Sequence, residues 1–311
     1  MRRRHFLRNA SLGGLALPLV PALPSTARST NPRSADRNHG DPFSMHFAAH
    51  FGMFSAHAGA DVVDQIMFMA DQGITALEDN GMKDRSLAEQ SRIAQAMAQR
   101  DMRMGVFVAH AIYWNEPNLA SGRSDWREQF LREIAASVEV AKRVNATWMT
   151  VVPGCLDFRK DMGYQTANVV ESLKQAAALL EPHGLVMVLE PLNPRDHPKL
   201  FLSKIAQAYA ICKAVDSPAC KILDDLYHQQ ITEGNLIPNI DAAWDEIAYF
   251  QIGDNPGRKE PTTGEINYAN VFRHIKEKGF TGILGMEHGN ATPGRAGELA
   301  LLEAYRSVDP G

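Results

Sequence analysis

The chain has 311 residues, 45% hydrophobic and 22% charged, a composition with enough apolar residues for a full core, which excludes global disorder. A formal net charge of -4 with both signs scattered leaves no electrostatic footprint for nucleic acid or an anionic membrane, so the expected partner is a small molecule. Cys155, Cys212 and Cys220 make an odd set without a CxxC pair and imply no disulfide framework.

The N-terminus reads as a processing segment. Arg2-Arg3-Arg4-His5-Phe6-Leu7-Arg8 is basic and precedes an apolar run from Leu12 to Leu23. Arg3-Arg4-x-Phe6-Leu7 resembles the bacterial twin-arginine export signal, and Gly13, Gly14 and Pro18 give the run the moderate apolarity that suits that route. The run is too short to be a stable membrane anchor. Ser25-Thr26-Ala27 sets the expected cut after Ala27, so residues 1–27 form the signal and the mature protein is expected to be periplasmic or secreted. Residues 28–42, rich in Ser, Asn, Arg, Pro and Asp, read as a flexible leader, and residues 43–311 as the folded domain.

Beyond the leader, apolar strand-like runs alternate with helix-periodic segments. Strands are expected at Met45–Phe51, Ile74–Glu78, Arg103–Ala109 and Thr147–Val152, with helices from Asp61, over Leu87–Arg100 and over Asp125–Val144 between them. The rhythm then repeats: helix Ala167–Leu180, strand Val186–Glu190, helix Ser203–Ala214, strand Lys221–Asp225, a short helix around Ile240 and strand Ala248–Gln251. Helix Ala269–Lys278, strand Gly282–Glu287 and a closing helix Ala296–Tyr305 complete it. Eight strand-helix pairs match a closed (β/α)₈ TIM barrel in a single domain. A doubly wound open sheet would carry a glycine-rich phosphate loop after an early strand, and Gly52-Met53-Phe54 has no such pattern.

In such barrels the chemistry sits where the strands end. Four runs stop on a carboxylate or amide: VMVLE at Glu190, KILDD at Asp225, AYFQ at Gln251 and GILGME at Glu287. Carboxylates crowded at a buried rim repel one another and resist ionising unless a cation neutralises them. Three carboxylates and an amide oxygen form a hard donor set suited to one divalent ion, Mn²⁺ or Mg²⁺, and the lack of thiolate argues against structural zinc. Any one strand-end acid on its own reads equally well as a helix cap or a surface pair.

These residues carry a family resemblance. Glu190-Pro-Leu-Asn-Pro, Asp225-Leu-Tyr-His228, Gln251-Ile-Gly with Arg258 downstream, Gly264-Glu-Ile-Asn-Tyr268 and Gly285-Met-Glu287 resemble the hydroxypyruvate isomerase family. That family belongs to the xylose-isomerase-like barrels, which also include ketose 3-epimerases. The resemblance is continuous from about Leu185 to His288 and weaker before. It implies Glu190, Asp225, Gln251 and Glu287 as metal ligands, His228 and Arg258 as holders of substrate oxygens, and Glu190 and Glu287 as proton carriers. The chemistry is coherent on its own terms: a carbonyl shift removes a proton beside C=O and returns one nearby, with two carboxylates as base and acid. A planar guanidinium such as that of Arg258 suits a substrate carboxylate or hydroxyl.

The first half departs from that pattern. His50 stands at the first strand end where the family has Asn; Glu78 ends the second, and His110-Ala-Ile-Tyr113-Trp114 the third. His50, Glu78 and His110 are expected pocket groups, with a capping role the alternative for each, and the aromatics either stack on a sugar ring or cap the barrel. Glu265 reads either as a substrate contact or as a brace for its turn. Gln251 favours isomerase over epimerase, where His is usual. The expected substrate is a carbohydrate or hydroxy-keto acid. A 3-epimerase, a lyase or dehydratase, and a non-catalytic metal-containing carbohydrate-binding protein are the rivals. Surface apolar residues give no clear seam, which leaves a homo-oligomer open.

Overall fold

The structure is a computed structural model and describes residues 40–311; the expected signal and nearly all of the leader lie outside the described residues. The apolar runs form eight parallel strands: β1 (His46–His50), β2 (Ala76–Glu78), β3 (Arg103–Met104), β4 (Trp148–Val151), β5 (Val186–Leu189), β6 (Cys220–Asp225), β7 (Ile247–Gln251) and β8 (Ile283–Gly285). They are hydrogen-bonded in the order β3-β2-β1-β8-β7-β6-β5-β4. Parallel bridges Met104↔Ala146 and Val108↔Thr150 join β3 to β4 and close the barrel.

The expected third strand, Arg103–Ala109, is the one the structure breaks up, with regular pairing lost after Met104 and resumed at Val108. The interruption falls at Gly105, where a Cβ would lie 2.4 Å from the Tyr249 hydroxyl and 3.1 Å from the Leu77 carbonyl oxygen. The backbone there is crowded from two sides, and only a residue without a side chain fits.

Helices surround the barrel, and several start where a short polar side chain takes up free N–H groups. Asp61 caps Val62–Asp71, Ser86 caps Leu87–Gln99, Asp161 caps Met162–Leu180 and Asn267 caps Tyr268–Glu277. Among the described residues no helix is long and apolar enough to cross a membrane. The three cysteines are buried and free.

Strand alternation places the site. Ala48, Ala76, Val106, Val188, Leu223, Tyr249 and Ile283 pack together as one buried layer inside the barrel. Two residues further on, strand periodicity turns the next side chain the same way, and those positions are His50, Glu78, Glu190, Asp225, Gln251 and Gly285. The registers agree, with Asp225 beside Gln251, Gln251 beside Gly285, and His50 beside Glu78. An apolar plug thus floors a polar mouth.

Candidate active site

Asp225 is the last residue of β6 and the N-cap of the helix Leu226–Thr232. Its Oδ1 accepts from the backbone N–H groups of Tyr227 (2.8 Å) and His228 (3.3 Å), while Oδ2 is left for the mouth. There the Arg258 guanidinium donates to it at 3.0 Å, and the same Nη2 lies 2.6 Å from Glu287 Oε2. Asn80, two residues past β2, donates to the other Glu287 oxygen at 2.8 Å. Arg258 also rests on the Tyr227 ring, 4.9 Å from its centroid.

A tight loop delivers Arg258. Asp254 N–H donates to the Lys259 carbonyl at 2.7 Å and Arg258 N–H to the Asp254 carbonyl at 2.9 Å. The Asp254 carboxylate accepts from the N–H groups of Asn255, Gly264 and Ile266. Arg258 itself takes a left-handed φ of 51°, a conformation that costs a non-glycine residue energy and is sustained here by these bonds. Glu265 accepts from Asn255 and Gln230, so the structure uses it to brace this loop.

Beneath the mouth lies a second layer of polar contacts. Buried Glu78 accepts from the Tyr249 hydroxyl and from Gln251 Nε2, both at 2.8 Å. With its nitrogen engaged, Gln251 holds Oε1 buried and without a hydrogen-bond partner. Gly285 makes room for this, since a Cβ there would come within 1.9 Å of Glu78 Oε2.

Electrostatics sets this cluster apart. Burial, reinforced by the charges of Glu287 and Asp225, holds the Glu190 carboxyl well above the usual range. Burial and then Glu287 push Glu78 up to about 8. Glu287 is pushed up to about 7 by burial, with Arg258 opposing the rise. Four acids face one permanent cation in this set, and losing water makes each negative charge costly.

His228 lies at the same mouth, its Nε2 3.5 Å from Asp225 Oδ2 and 3.9 Å from Glu190 Oε1. Burial lowers its pKa to about 4, so the ring is neutral near pH 7. Its Nδ1 faces the Asn193 side chain at 2.6 Å. The structure therefore brings Glu190, Asp225, Gln251, Glu287, His228, Arg258 and Glu78 together.

Three expected pocket groups, His110, His50 and Glu78, are engaged by other parts of the protein. His110 is buried in the β3–β4 seam, where Nε2 accepts from the Val152 N–H at 3.2 Å and the ring meets Phe130 edge-on; burial pulls it down to about 4. Of the two readings open for His110, pocket group or cap, these contacts favour the second, because Nε2 is occupied by backbone. His50 reaches the mouth, yet its ring nitrogens lie 3.0 Å from the Phe51 carbonyl and 3.1 Å from that of His288, bridging β1 to the segment after β8. Glu78 serves Gln251 and Tyr249 from below the mouth. Asn80, Asn193 and Tyr249 were missed by sequence reasoning. The signal for Asn80 was available, since it follows Glu78 at the strand spacing of two.

The residues fit a divalent cation. Single ligand atoms of Glu190, Asp225 and His228 lie within 4.8 Å of one another, forming a candidate acidic and histidine group. The unpartnered Gln251 oxygen is a neutral hard donor at the same strand-end level, and the surplus of buried acid is relieved by positive charge.

The chain matches the family model described as xylose isomerase-like TIM barrel over residues 54–307. It is 33% identical over 183 residues to hydroxypyruvate isomerase of Escherichia coli K12, covering 58% of this chain and 69% of that protein. To a 2-oxo-tetronate isomerase of Cupriavidus necator it is 28% identical over 261 residues, 83% of this chain and 98% of the relative. A crystal structure described as AP endonuclease, family 2, from Brucella melitensis superposes with a TM-score of 0.70 at 25% identity, covering 84% of this chain and 99% of that one.

Proposed function

The chain belongs to the xylose isomerase-like TIM barrel family and is an isomerase, and from that premise we propose that it shifts the carbonyl of hydroxypyruvate or a related small sugar derivative by enediolate proton transfer. One observation carries this reading. Two carboxyls share one mouth, buried Glu190 and half-buried Glu287: the charge of Glu287 helps to raise Glu190, and Glu287 itself reaches about 7, where it both takes and gives a proton near neutrality.

One of the pair takes the proton from the carbon beside the carbonyl and the other returns a proton to the neighbouring carbon. Arg258, already bonded to Asp225 and Glu287, anchors a substrate carboxylate or hydroxyl. Glu190, Asp225, Gln251 and Glu287 would hold one divalent ion, Mn²⁺ or Mg²⁺, which when bound supplies Lewis-acid polarisation of substrate oxygens. The layer at Val188, Leu223 and Tyr249 keeps the floor dry, which strengthens each polar contact above it. A phosphodiester-cleaving role is disfavoured, because such enzymes need a basic groove and the net charge of -4 with both signs scattered leaves no electrostatic footprint for nucleic acid. The reading includes export to the periplasm, supported by the twin-arginine pattern; N-terminal sequencing of the mature protein, expected to begin after Ala27, tests it.

The deciding experiment is deuterium incorporation from heavy water into hydroxypyruvate, ketoses and keto-glycosides, with manganese and with magnesium. Incorporation together with a shifted carbonyl supports the isomerase. Inversion at one carbon identifies a 3-epimerase instead, and thermal stabilisation by substrate without exchange identifies a binding protein. Glu287→Gln is expected to lose exchange while keeping part of its metal; full activity in that variant removes Glu287 from the mechanism.

A further inference from the structure

Asn193 is fully buried beside the site, and proton transfer as proposed leaves it without a task. Its orientation follows from its neighbours. The amide oxygen Oδ1 accepts from the backbone N–H groups of Arg195 at 3.0 Å and Asp196 at 2.9 Å. Backbone N–H groups only donate, so the atom facing them is the oxygen, and Nδ2 points the other way. Nδ2 lies 3.0 Å from Asp196 Oδ2 and 2.6 Å from His228 Nδ1. The Asp196 carboxylate is itself fixed by the Tyr227 hydroxyl at 2.7 Å. The backbone N–H of Asn193 also points at His228 Nδ1, at 3.3 Å.

Two donors from one residue therefore converge on one ring nitrogen, which must accept. In a neutral imidazole the proton then belongs to the other nitrogen. That nitrogen, Nε2, is buried without a hydrogen-bond partner and faces the space between Asp225 and Glu190.

We propose that Asn193 is a positioning residue that locks His228 in its Nε2–H tautomer, so that the ring offers the mouth an N–H donor rather than a lone pair. A ring in that form donates to a substrate oxygen and does not ligate a cation, although His228 lies close enough to Glu190 and Asp225 to be grouped with them as a ligand. The cation is left to oxygen donors. That the donor meets a substrate oxygen rests on the isomerase reading; the tautomer does not.

The test is a long-range proton–nitrogen correlation spectrum of ¹⁵N-histidine-labelled full-length protein at neutral pH, with the His228 signals assigned by their loss in His228→Gln. In the wild-type protein Nδ1 is expected in the unprotonated range and Nε2 in the protonated range. Asn193→Asp replaces the side-chain donor with a carboxylate that can only accept, and Nδ1 is expected to become protonated. In the exchange assay with hydroxypyruvate the same variant is expected to raise KM about tenfold, the loss of roughly one hydrogen bond, with a smaller effect on kcat. A proton on wild-type Nδ1, or an unaltered His228 spectrum in folded Asn193→Asp, overturns the proposal. If Asn193→Asp does not fold, the wild-type spectrum alone decides. The expected tautomer with no exchange on any substrate supports the role of Asn193 and overturns the isomerase reading.

Discussion

Gly285 matters for what it lacks. Its missing Cβ leaves the space that Glu78 Oε2 occupies, and Glu78 cannot step aside because Tyr249 and Gln251 hold both of its oxygens. Gly285→Ala is expected to cost about 1–3 kcal/mol in urea unfolding, the usual range for overpacking a filled site. It is also expected to shrink the stabilisation given by added Mn²⁺, because Gln251 loses the partner that aims its oxygen. Wild-type stability in that variant would mean that Glu78 has slack the structure does not show. Glu190, Asp225, Gln251 and Glu287 were legible because each ends an apolar run, and strand alternation fixes which way such a residue faces. The position of Asn80 was open to the same reasoning, but its bond to Glu287, 207 positions away, was not, and neither was that of Tyr249 to Glu78, 171 positions away. His110 stayed open between pocket and cap for a related reason: the end of an apolar run locates a residue, and only packing decides whether it faces the mouth or the wall.

The helix Leu226–Thr232 and strand β6 meet in Asp225, which caps the one and arms the other. The two duties can be separated. Asn caps a helix about as well as Asp, so Asp225→Asn is expected to keep metal-free stability within about 1 kcal/mol of wild type while losing most of the stabilisation by divalent ions. Asp225→Ala is expected to lose the cap as well, at a further cost of roughly 1 kcal/mol. The comparison is made by denaturant unfolding with chelator and with added Mn²⁺. Equal metal response in wild type and Asp225→Asn would take the carboxylate out of the ion site. At this level most of the architecture was legible, since alternating apolar runs and helix-periodic segments leave few topologies. The helix Leu226–Thr232 and the extent of the third strand were the exceptions. The third strand's apolar run continues to Ala109, whereas regular pairing stops after Met104, next to Gly105, where the distant Tyr249 leaves no room for a side chain.

For the molecule as a whole, buried acids and buried histidines pull stability in opposite directions with pH. Glu78 and Glu287, raised from 4.5 to about 8 and about 7, keep protons in the folded chain that the unfolded chain has lost, as do Glu190 and Asp224, which are also raised. Their contribution is complete below 4.5 for the three Glu residues and below 3.8 for Asp224, and disappears as pH climbs through the folded values. His110 and His228, lowered from 6.5 to about 4, and His288, lowered to about 3, act in the other sense. The unfolded chain binds protons on these rings below 6.5 that the folded chain refuses, so stability falls as the medium acidifies toward the folded values. Of these groups the carboxyls dominate from 8 down to 6.5 and stability rises; between 6.5 and about 4.5 the two sets oppose; at lower pH the histidines, joined by ion-paired carboxyls held low such as Asp61, Asp157 and Asp241, draw stability down. The metal-free protein is therefore expected to be most stable in mildly acidic solution, which denaturant midpoints measured across a pH series with chelator would show. A divalent ion binds the ionised carboxylates and competes with their protons, so added Mn²⁺ or Mg²⁺ is expected to stabilise most on the alkaline side and to flatten that limb. A metal-free maximum above neutrality would mean that Glu78, Glu190 and Glu287 are not held protonated by burial, and the electrostatic case for a cation at this mouth would fall with it.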